Sequence, residues 1–226
     1  MVDYWAFTGD AGNNPTVTTG ILHQTGDDRN FEPSNVTQQL GNDDQSFWAL
    51  AAMGAAERKY PDPPADQPQW LALVQAVFVR QTPRWDPATC NGGMRWQVMS
   101  FNNGWDYKNT VSNGLYFQIG ARLARFTGNS TYATLAEKAY DWLVQVGFVS
   151  TDWKVFDGGH VEQSCQDIVR HQWTYNAGIV MAGCAVMYNY VNSPPPPLLP
   201  LSPQGVTNLS YRANRAPNKT NGATAP

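Results

Sequence analysis

Residues 41–57 read GNDDQSFWALAAMGAAE, and this stretch decides the fold class. Its apolar residues recur every three to four positions, which is the period of an amphipathic helix. Its many small side chains predict that neighbouring helices pack closely against it. The helix is expected to cover residues 43–60 and to end before Pro61. Its apolar stripe consists of Phe47, Leu50, Ala51 and Gly54, with Trp48, Ala52 and Ala55 beside it.

The same periodicity recurs as far as residue 190, whereas strand-like alternation never persists for more than a few residues. The sequence therefore predicts an all-α protein. Short and long connections alternate between the helices, which is typical of toroids built from helical hairpins. The long loops are expected to meet at one rim and to form the mouth of a cleft. Helices are predicted over residues 2–8, 16–24, 43–60, 66–78, 112–126, 131–146 and 172–190.

Two adjacent aspartates, Asp43 and Asp44, stand at the start of the helix quoted above. A structural explanation exists, because Asn42 can serve as the N-cap and acidic residues in a first turn interact favourably with the helix dipole. A chemical explanation also exists, because a retaining glycosidase uses two carboxyl groups about 5 Å apart. Like charges this close raise one pKa, so that one group stays protonated while its partner is ionised. On spacing alone, the structural explanation is the commoner one.

Composition limits the class of partner. The 226 residues carry a net charge of −3 with 15 Lys and Arg, which argues against nucleic acid and against an anionic membrane surface. Nine Trp, ten Tyr and nine Phe occur, several of them near amides and carboxylates. Sugar rings stack on aromatic faces while amides and acids bind their hydroxyl groups, so this mixture favours a carbohydrate ligand, although many of these aromatic residues are expected in the core.

Cysteines and sequons indicate an oxidising compartment. Cys90 and Cys165 lie in polar loops and Cys184 in an apolar run, so we expect a Cys90–Cys165 disulfide and a buried free Cys184. The chain shows neither a signal-peptide pattern nor 18 consecutive apolar residues, and we expect a leading segment to be missing. No cofactor and no metal are predicted. Glycosylation sequons begin at Asn35, Asn129, Asn208 and Asn218.

The composition changes abruptly after Tyr190. Four consecutive prolines occupy positions 194–197, and a polar stretch without apolar period follows. Such a segment cannot bury a core. Residues 1–190 are therefore predicted to form the domain, and residues 191–226 a disordered tail.

Four segments resemble the fungal, Dfg5/Dcw1-type branch of glycoside hydrolase family 76: residues 41–57, GGMRWQ at 92–97, YKNTVSNGLYFQ at 107–118 and YNAGI at 175–179. The resemblance covers about residues 2–190. It implies an (α/α)6 toroid, built from six helical hairpins, with Asp43 as the nucleophile and Asp44 as the acid and base. Family domains are nearly twice as long, so we expect an incomplete toroid.

The resemblance also implies a function. The activity would be that of a mannan endo-1,6-alpha-mannosidase, a retaining enzyme that hydrolyses or transfers α-1,6-mannosidic linkages. Its partner would be α-1,6-mannan of the fungal cell wall or a mannose-containing lipid-anchor glycan. The expected location is secreted or at the cell wall and outer face of the plasma membrane, with membrane attachment only through a C-terminal anchor missing from this chain.

Residues expected to contact sugar lie beside the acid pair or in the long loops. For each of them, capping a helix or stabilising a loop is an equal alternative. His160 with Asp157 is weak support for a metal site because no third ligand accompanies them. Lys108 and Arg95 could pair with acids of the rim, but a position at the solvated surface is the favoured expectation. The sugar-contacting candidates are Gln45, Trp48, Trp96, Tyr107, Asn109, Asn113 and Asp157.

Two other classes of function stay open from sequence. A noncatalytic mannan-binding or wall-scaffolding fragment would keep the aromatic residues without completing the site. A generic helical-repeat interaction protein is less consistent with the long loops and the acid pair.

Overall fold

The computed structural model describes residues 1–192, and the predicted tail from residue 193 onward lies outside this part of the chain. The described residues contain seven α-helices and one small sheet of two strands. The prediction of an all-α fold is confirmed. The helices are α1 (Val2–Thr8), α2 (Asn14–His23), α3 (Asn42–Glu57), α4 (Trp70–Gln81), α5 (Thr110–Thr127), α6 (Ser130–Gln145) and α7 (Thr174–Asn192). The strands are β1 (Tyr107–Asn109) and β2 (Gly158–His160).

Helix ends depart from the predicted bounds by a few residues. Helix α3 ends at Glu57 rather than at residue 60, because Lys59 adopts a left-handed backbone conformation before Pro61. Helix α7 begins at Thr174 and continues to Asn192, beyond the predicted domain boundary at residue 190. In residues 1–192, no helix combines the length and apolar character that crossing a membrane requires.

Helix α5 is the centre of the packing. Fourteen of its 18 residues are buried, and it contacts α3, α4, α6 and α7. Gly120 allows this crowding, because a Cβ atom there would lie 2.9 Å from the Phe78 ring of α4 and 3.1 Å from the Cβ of Ala136 of α6. Phe78 also stacks on Tyr116 with ring centroids 4.4 Å apart. The core therefore forms around α5.

The expected apolar surface of α3 is only partly the buried one. Phe47 is 45% exposed, and the other three residues of its stripe are partly buried, whereas Ala52 and Ala55 beside the stripe are buried as expected. The buried residues of the helix are Asn42, Gln45, Ser46, Ala49, Ala52, Met53 and Ala55. The helix is apolar or small on nearly every side, so periodicity does not select a face. Polar partners from distant segments allow Gln45 and Ser46 to be buried.

The cysteines behave largely as expected. Cys90 and Cys165 form a disulfide with Cα atoms 5.6 Å apart, which is the pairing expected from the sequence. Cys184 is a free thiol, but it is only partly buried rather than enclosed, because it lies on the flank of α7 beside Tyr140.

Short extended segments of the loops lie next to the start of α3 and are joined to it by backbone hydrogen bonds. Strands β1 and β2 are antiparallel, with Tyr107 opposite His160 and Asn109 opposite Gly158. The Trp96 N–H donates to the Tyr107 carbonyl at 2.7 Å, and the Asn42 N–H donates to the Trp96 carbonyl at 2.9 Å. Segments that are distant in sequence therefore lie side by side, and β1 leads directly into α5. With only three residues each, β1 and β2 are too short for alternation of apolar and polar residues to predict them from the sequence.

Candidate active site

The acid pair lies in the first turn of α3. Gly41, not Asn42, is the N-cap of this helix. The Gly41 N–H donates to Oδ2 of Asp44 at 2.9 Å, so Asp44 supplies the reciprocal half of the cap while its side chain stays exposed. Asn42 is the first helical residue and is buried. The predicted capping role of Asn42 is therefore wrong, because its amide is engaged with other segments.

Both carboxylates converge above Gly41. A Cβ atom at Gly41 would collide with Oδ1 of Asp43 and would lie 3.0 Å from Oδ2 of Asp44 and 3.3 Å from Nε1 of Trp96. The backbone of Gly41 is extended, with φ at −85°, so conformation does not demand glycine here. The lack of space favours glycine instead, because the two acids and the indole of Trp96 fill the region next to this cap position.

Asp43 is the more buried member of the pair. Its Oδ2 accepts a hydrogen bond from Nε1 of Trp96 at 3.2 Å, and its buried Oδ1 has no hydrogen-bond partner among the described residues. Burial, followed by the charge of Asp44, raises the pKa of Asp43 to about 6, although the Trp96 indole opposes the change. Asp43 can therefore hold a proton at pH values where an exposed aspartate is ionised.

Tyr107, Asp157 and Tyr175 form a second polar group. The Tyr107 hydroxyl donates to Oδ2 of Asp157 at 3.0 Å. Burial and the charge of Asp157 raise the pKa of Tyr107, so its phenol stays neutral. Burial also raises the pKa of Tyr175, and the charges of Asp157 and Asp43 add to the effect. The Tyr175 hydroxyl therefore lies within electrostatic reach of both the acid pair and Asp157.

Tyr175 was not among the sequence-predicted site residues. It is 47% exposed and stacks on the similarly exposed Trp173, with ring centroids 6.1 Å apart and planes 9° from parallel. Two stacked, exposed aromatic rings beside carboxylates offer a flat surface for a sugar ring. The sequence signal for Tyr175 is its position in residues 175–179, one of the four segments that resemble the family.

Three predicted sugar contacts belong instead to the scaffold. The Gln45 amide is fully buried and donates to the Asn30 carbonyl at 2.7 Å. Asn109 is the N-cap of α5, where its Oδ1 accepts from the Ser112 N–H. Asn113 is fully buried and bonds both the N–H and the carbonyl of Met94. These amides hold segments together, so the prediction that they face the substrate is corrected.

The other candidates for sugar contact or metal binding differ in their surroundings. Trp96 and Asp157 lie in the site described above, whereas the partly buried Trp48 stacks on Phe31 with centroids 6.0 Å apart. Nδ1 of His160 lies 2.5 Å from Oδ2 of Asp167 and so pairs with that residue rather than with Asp157. Over residues 1–192, no group of three or more His, Cys, Asp or Glu side chains is arranged to hold a metal ion.

The surface positions expected for Lys108 and Arg95 are wrong, whereas the alternative of pairing with an acid holds, because both lie within salt-bridge distance of Asp86. Lys108 is fully buried, and burial lowers its pKa to about 8. Arg95 is partly buried, lies over the Trp105 ring and pairs with Asp86 at 3.0 Å. Each cation finds its partners within the fold, which sequence spacing did not reveal. Nζ of Lys108 donates to the carbonyl groups of Asp86, Thr89 and Gly92 at 3.0, 2.8 and 2.7 Å.

An α-helical scaffold that presents two converging carboxylates beside exposed aromatic rings defines the class of α/α-toroid glycoside hydrolases. The family model of glycosyl hydrolase family 76 matches residues 1–194, and the chain belongs to this family. The predicted toroid fold class is thereby confirmed.

Two relatives illustrate the similarity. A putative mannan endo-1,6-alpha-mannosidase of Schizosaccharomyces pombe is 52% identical over 193 residues, which are 85% of this chain and 44% of that protein. The mannan endo-1,6-alpha-mannosidase DCW1 of Saccharomyces cerevisiae is 49% identical over 195 residues, with 85% and 43% covered. The chain thus spans less than half the length of these relatives.

Solved structures share the fold. Dfg5 from Chaetomium thermophilum, in complex with glucosamine, has a TM-score of 0.83 and 52% identity, covering 85% of this chain and 47% of that one. An inactive variant of an α-1,6-mannanase from Salegentibacter, in complex with α-1,6-mannotriose, has a TM-score of 0.67 and 17% identity, with 85% and 52% covered. The second similarity shows the fold alone.

Proposed function

We propose that this chain carries the catalytic acid pair of a mannan endo-1,6-alpha-mannosidase that acts with retention of configuration. The observation that carries the proposal is the convergence of Asp43 and Asp44 on Gly41, where Asp43 is partly buried and its buried Oδ1 has no hydrogen-bond partner among the described residues. The names of relatives at 49% and 52% identity support the substrate class.

We assign the nucleophile to Asp43. Its Oδ1 has no hydrogen-bond partner among the described residues, and Trp96 fixes the other oxygen. A desolvated, oriented carboxylate is suited to attack an anomeric carbon. Asp44 is exposed and can exchange protons with the leaving group or with water. Attack needs the ionised form of Asp43, which prevails above pH 6 because burial and the charge of Asp44 raise its pKa to about 6.

The reaction then has two steps. The carboxylate of Asp43 bonds to the anomeric carbon as the glycosidic bond breaks, and Asp44 gives its proton to the departing oxygen. Asp44 next takes a proton from water, whose oxygen attacks the anomeric carbon and releases Asp43. A sugar hydroxyl in place of water gives transfer instead of hydrolysis, so a lipid-anchor glycan can be the donor.

The surrounding residues support sugar binding. Trp173 and Tyr175 provide stacked aromatic faces, while Asp157 and the hydroxyl of Tyr107 offer polar contacts for sugar hydroxyls. We also propose a secreted or wall-associated location for the whole protein. The Cys90–Cys165 disulfide fits an oxidising compartment, and the proposed glycosylation sites at Asn35 and Asn129 are exposed.

Replacing either acid tests the proposal. Asp43→Asn and Asp44→Asn are each expected to abolish release of manno-oligosaccharides from α-1,6-mannan, because both carboxyls take part in bond breaking. Asp152→Asn is the control, since Asp152 is an exposed loop residue paired with Lys154 and is expected to retain full activity. Full activity in either acid-pair variant would contradict the proposal.

A second candidate function is noncatalytic binding of mannan. It is favoured by one observation, the exposed Trp173–Tyr175 stack, which offers a surface for a sugar ring without involving either carboxylate. Binding of α-1,6-mannan without turnover at any pH would support this function over catalysis.

A further inference from the structure

A buried polar network lies beneath the acid pair. Nη1 of Arg84 donates to Oδ1 of Asn42 at 2.7 Å and to Oε1 of Gln45 at 2.9 Å, so one guanidinium binds the residues on both sides of the pair. Nη2 of Arg84 pairs with Glu32, whose side chain is only 5% exposed. Arg80 binds the other carboxylate oxygen of Glu32 at 2.7 Å. The network thus holds two arginines on one buried glutamate, with Arg84 and Glu32 largely closed to solvent and Arg80 at its exposed edge.

Gln81 completes the attachment of the first turn of α3. Its Nε2 lies within hydrogen-bond distance of the Asn42 carbonyl at 2.8 Å, of Oε1 of Gln45 at 3.1 Å and of Oγ of Ser46 at 2.9 Å. These side chains are fully or almost fully buried. Since Gln81 ends α4, the turn that bears the acids is fixed to a different helix.

Asn42 links the network to the backbone of Trp96, whose indole contacts Asp43. Its Nδ2 donates to the Arg95 carbonyl at 2.8 Å, and its N–H donates to the Trp96 carbonyl at 2.9 Å. A continuous chain of contacts therefore runs from Glu32 through Arg84 and Asn42 to Trp96.

We propose that Arg84, held by Glu32, is a positioning residue that fixes the direction in which Asp43 and Asp44 leave the first turn of α3. The planar guanidinium is required because it has several donors in fixed directions, and a lysine ammonium cannot span Glu32, Asn42 and Gln45 together. The catalytic consequence rests on the proposed function, whereas the structural link is independent of it.

The pKa of Asp43 distinguishes positioning from a simple charge effect. Arg84→Met removes a positive charge and Glu32→Gln removes a negative one, so long-range electrostatics would move this pKa in opposite directions. A loosened helix start admits water, which lowers the pKa of Asp43 toward its ordinary value in both variants. A titration of the Asp43 carboxyl carbon by NMR, with the Trp96 indole N–H resonance as a second readout, measures this in the full chain.

Matched variants separate positioning from general stability. Glu57→Gln and Arg122→Met break another Arg–Glu pair at the far end of α3, where Arg122 donates to Glu57 at 3.0 and 2.6 Å. They are expected to leave both NMR readouts unchanged. Arg84→Lys keeps the charge opposite Glu32 and so preserves folding, but it is expected to shift both readouts, which tests the proposal even if Arg84→Met does not fold.

Activity provides the third readout. Arg84→Lys is expected to lower kcat on α-1,6-mannan by about 10- to 100-fold with little change in KM, because misdirected acids affect chemistry more than binding. An unchanged Asp43 titration and Trp96 resonance in folded Arg84→Lys would overturn the proposal, as would opposite pKa shifts in Arg84→Met and Glu32→Gln. If the unaltered chain cleaves no mannan, the proposed function fails, while the NMR readouts still decide on positioning.

Discussion

Asp43 has two carboxylate oxygens in different surroundings. One oxygen accepts the indole hydrogen bond of Trp96, while the other is buried without a partner among the described residues. Burial and the neighbouring charge of Asp44 act in the same direction on its pKa. The groups that face it are Asp44, Trp96 and, at longer range, Tyr175.

The raised pKa of Asp43 predicts a pH-dependent effect on stability. The pKa is about 6 in the folded protein against an ordinary value of 3.8, so this group favours folding at low pH and loses that contribution as pH rises through 6. Asp43→Asn removes the unfavourable charge. The variant is expected to be more stable than the wild type well above pH 6, by about 3 kcal/mol, and equal to it below about pH 3. Urea unfolding at both pH values measures this difference.

Asp152→Asn is the matched control for stability. Hydrogen bonds, first from Lys154 and then from Ser150, lower the pKa of Asp152 to about 2, so the sign of its effect is opposite. This variant is expected to gain no stability at neutral pH. Equal stability of Asp43→Asn and the wild type at neutral pH would show that the raised pKa is wrong.

At the residue scale, the structure brings some of the expected site residues together. Trp96 contacts Asp43, and Tyr107 contacts Asp157. Adjacent aspartates are visible in the sequence, but Asp27 and Asp28 form a second such pair, so spacing alone does not single out Asp43 and Asp44. The burial of Gln45 is not visible in the sequence, because it depends on partners such as Asn30 and Arg84 that only folding brings close.

Strand β1 also contains a buried polar residue whose partners come from a distant part of the sequence. Its central residue, Lys108, is fully buried and binds three carbonyl groups of the loop at residues 86–92. The neighbouring residue Tyr107 faces Asp157, so one short strand serves both the loop and the site. The ammonium replaces the backbone partners that the loop carbonyls would otherwise need.

Lys108→Met is expected to destabilise the protein by about 2 to 4 kcal/mol. The methionine fills a similar volume but leaves the loop carbonyls without a donor in a buried position. Guanidinium unfolding measures the loss. Lys154→Met is the control, since Lys154 is exposed and pairs only with Asp152, and it is expected to change stability by less than about 0.5 kcal/mol. Similar effects of the two substitutions would contradict the structural role of Lys108.

At the element scale, periodicity identified every helix of the described residues to within a few positions. It failed where the physical signal is weak. Strands of three residues are too short to alternate, and the face of α3 is set by distant polar partners rather than by its own apolar pattern. Leu50, Ala51 and Gly54 instead line an open cavity of about 700 Å³ with residues of α1 and α2.

The whole described molecule carries large apolar side chains on its outside. Met181, Tyr188 and Val191 of α7 are each more than two thirds exposed, as is Phe7 of α1. The opposite face of α7 buries Ile179 against α5. The helix therefore has an apolar outer face that contributes little to the core described here.

Replacing this outer face is expected to leave folding intact. Met181→Gln combined with Tyr188→Gln should change the free energy of unfolding by less than about 0.5 kcal/mol, because neither side chain loses buried contacts. Binding of a hydrophobic dye should decrease. Ile179→Gln, on the buried face, is the control and should destabilise by more than about 2 kcal/mol. A comparable loss of stability in the outer-face variant would show that these residues are buried in solution.

The crowding at Gly41 also bears on how the sequence can evolve. Every one of the other 19 amino acids adds a Cβ atom or a ring at that point, and the space is occupied by both acids and an indole. A substitution here must displace the ends of these side chains, whereas Phe47, six residues along the same segment, faces solvent. We therefore expect a change at Gly41 to reach the acid pair directly, so that the glycine and the two aspartates tolerate substitution as one unit.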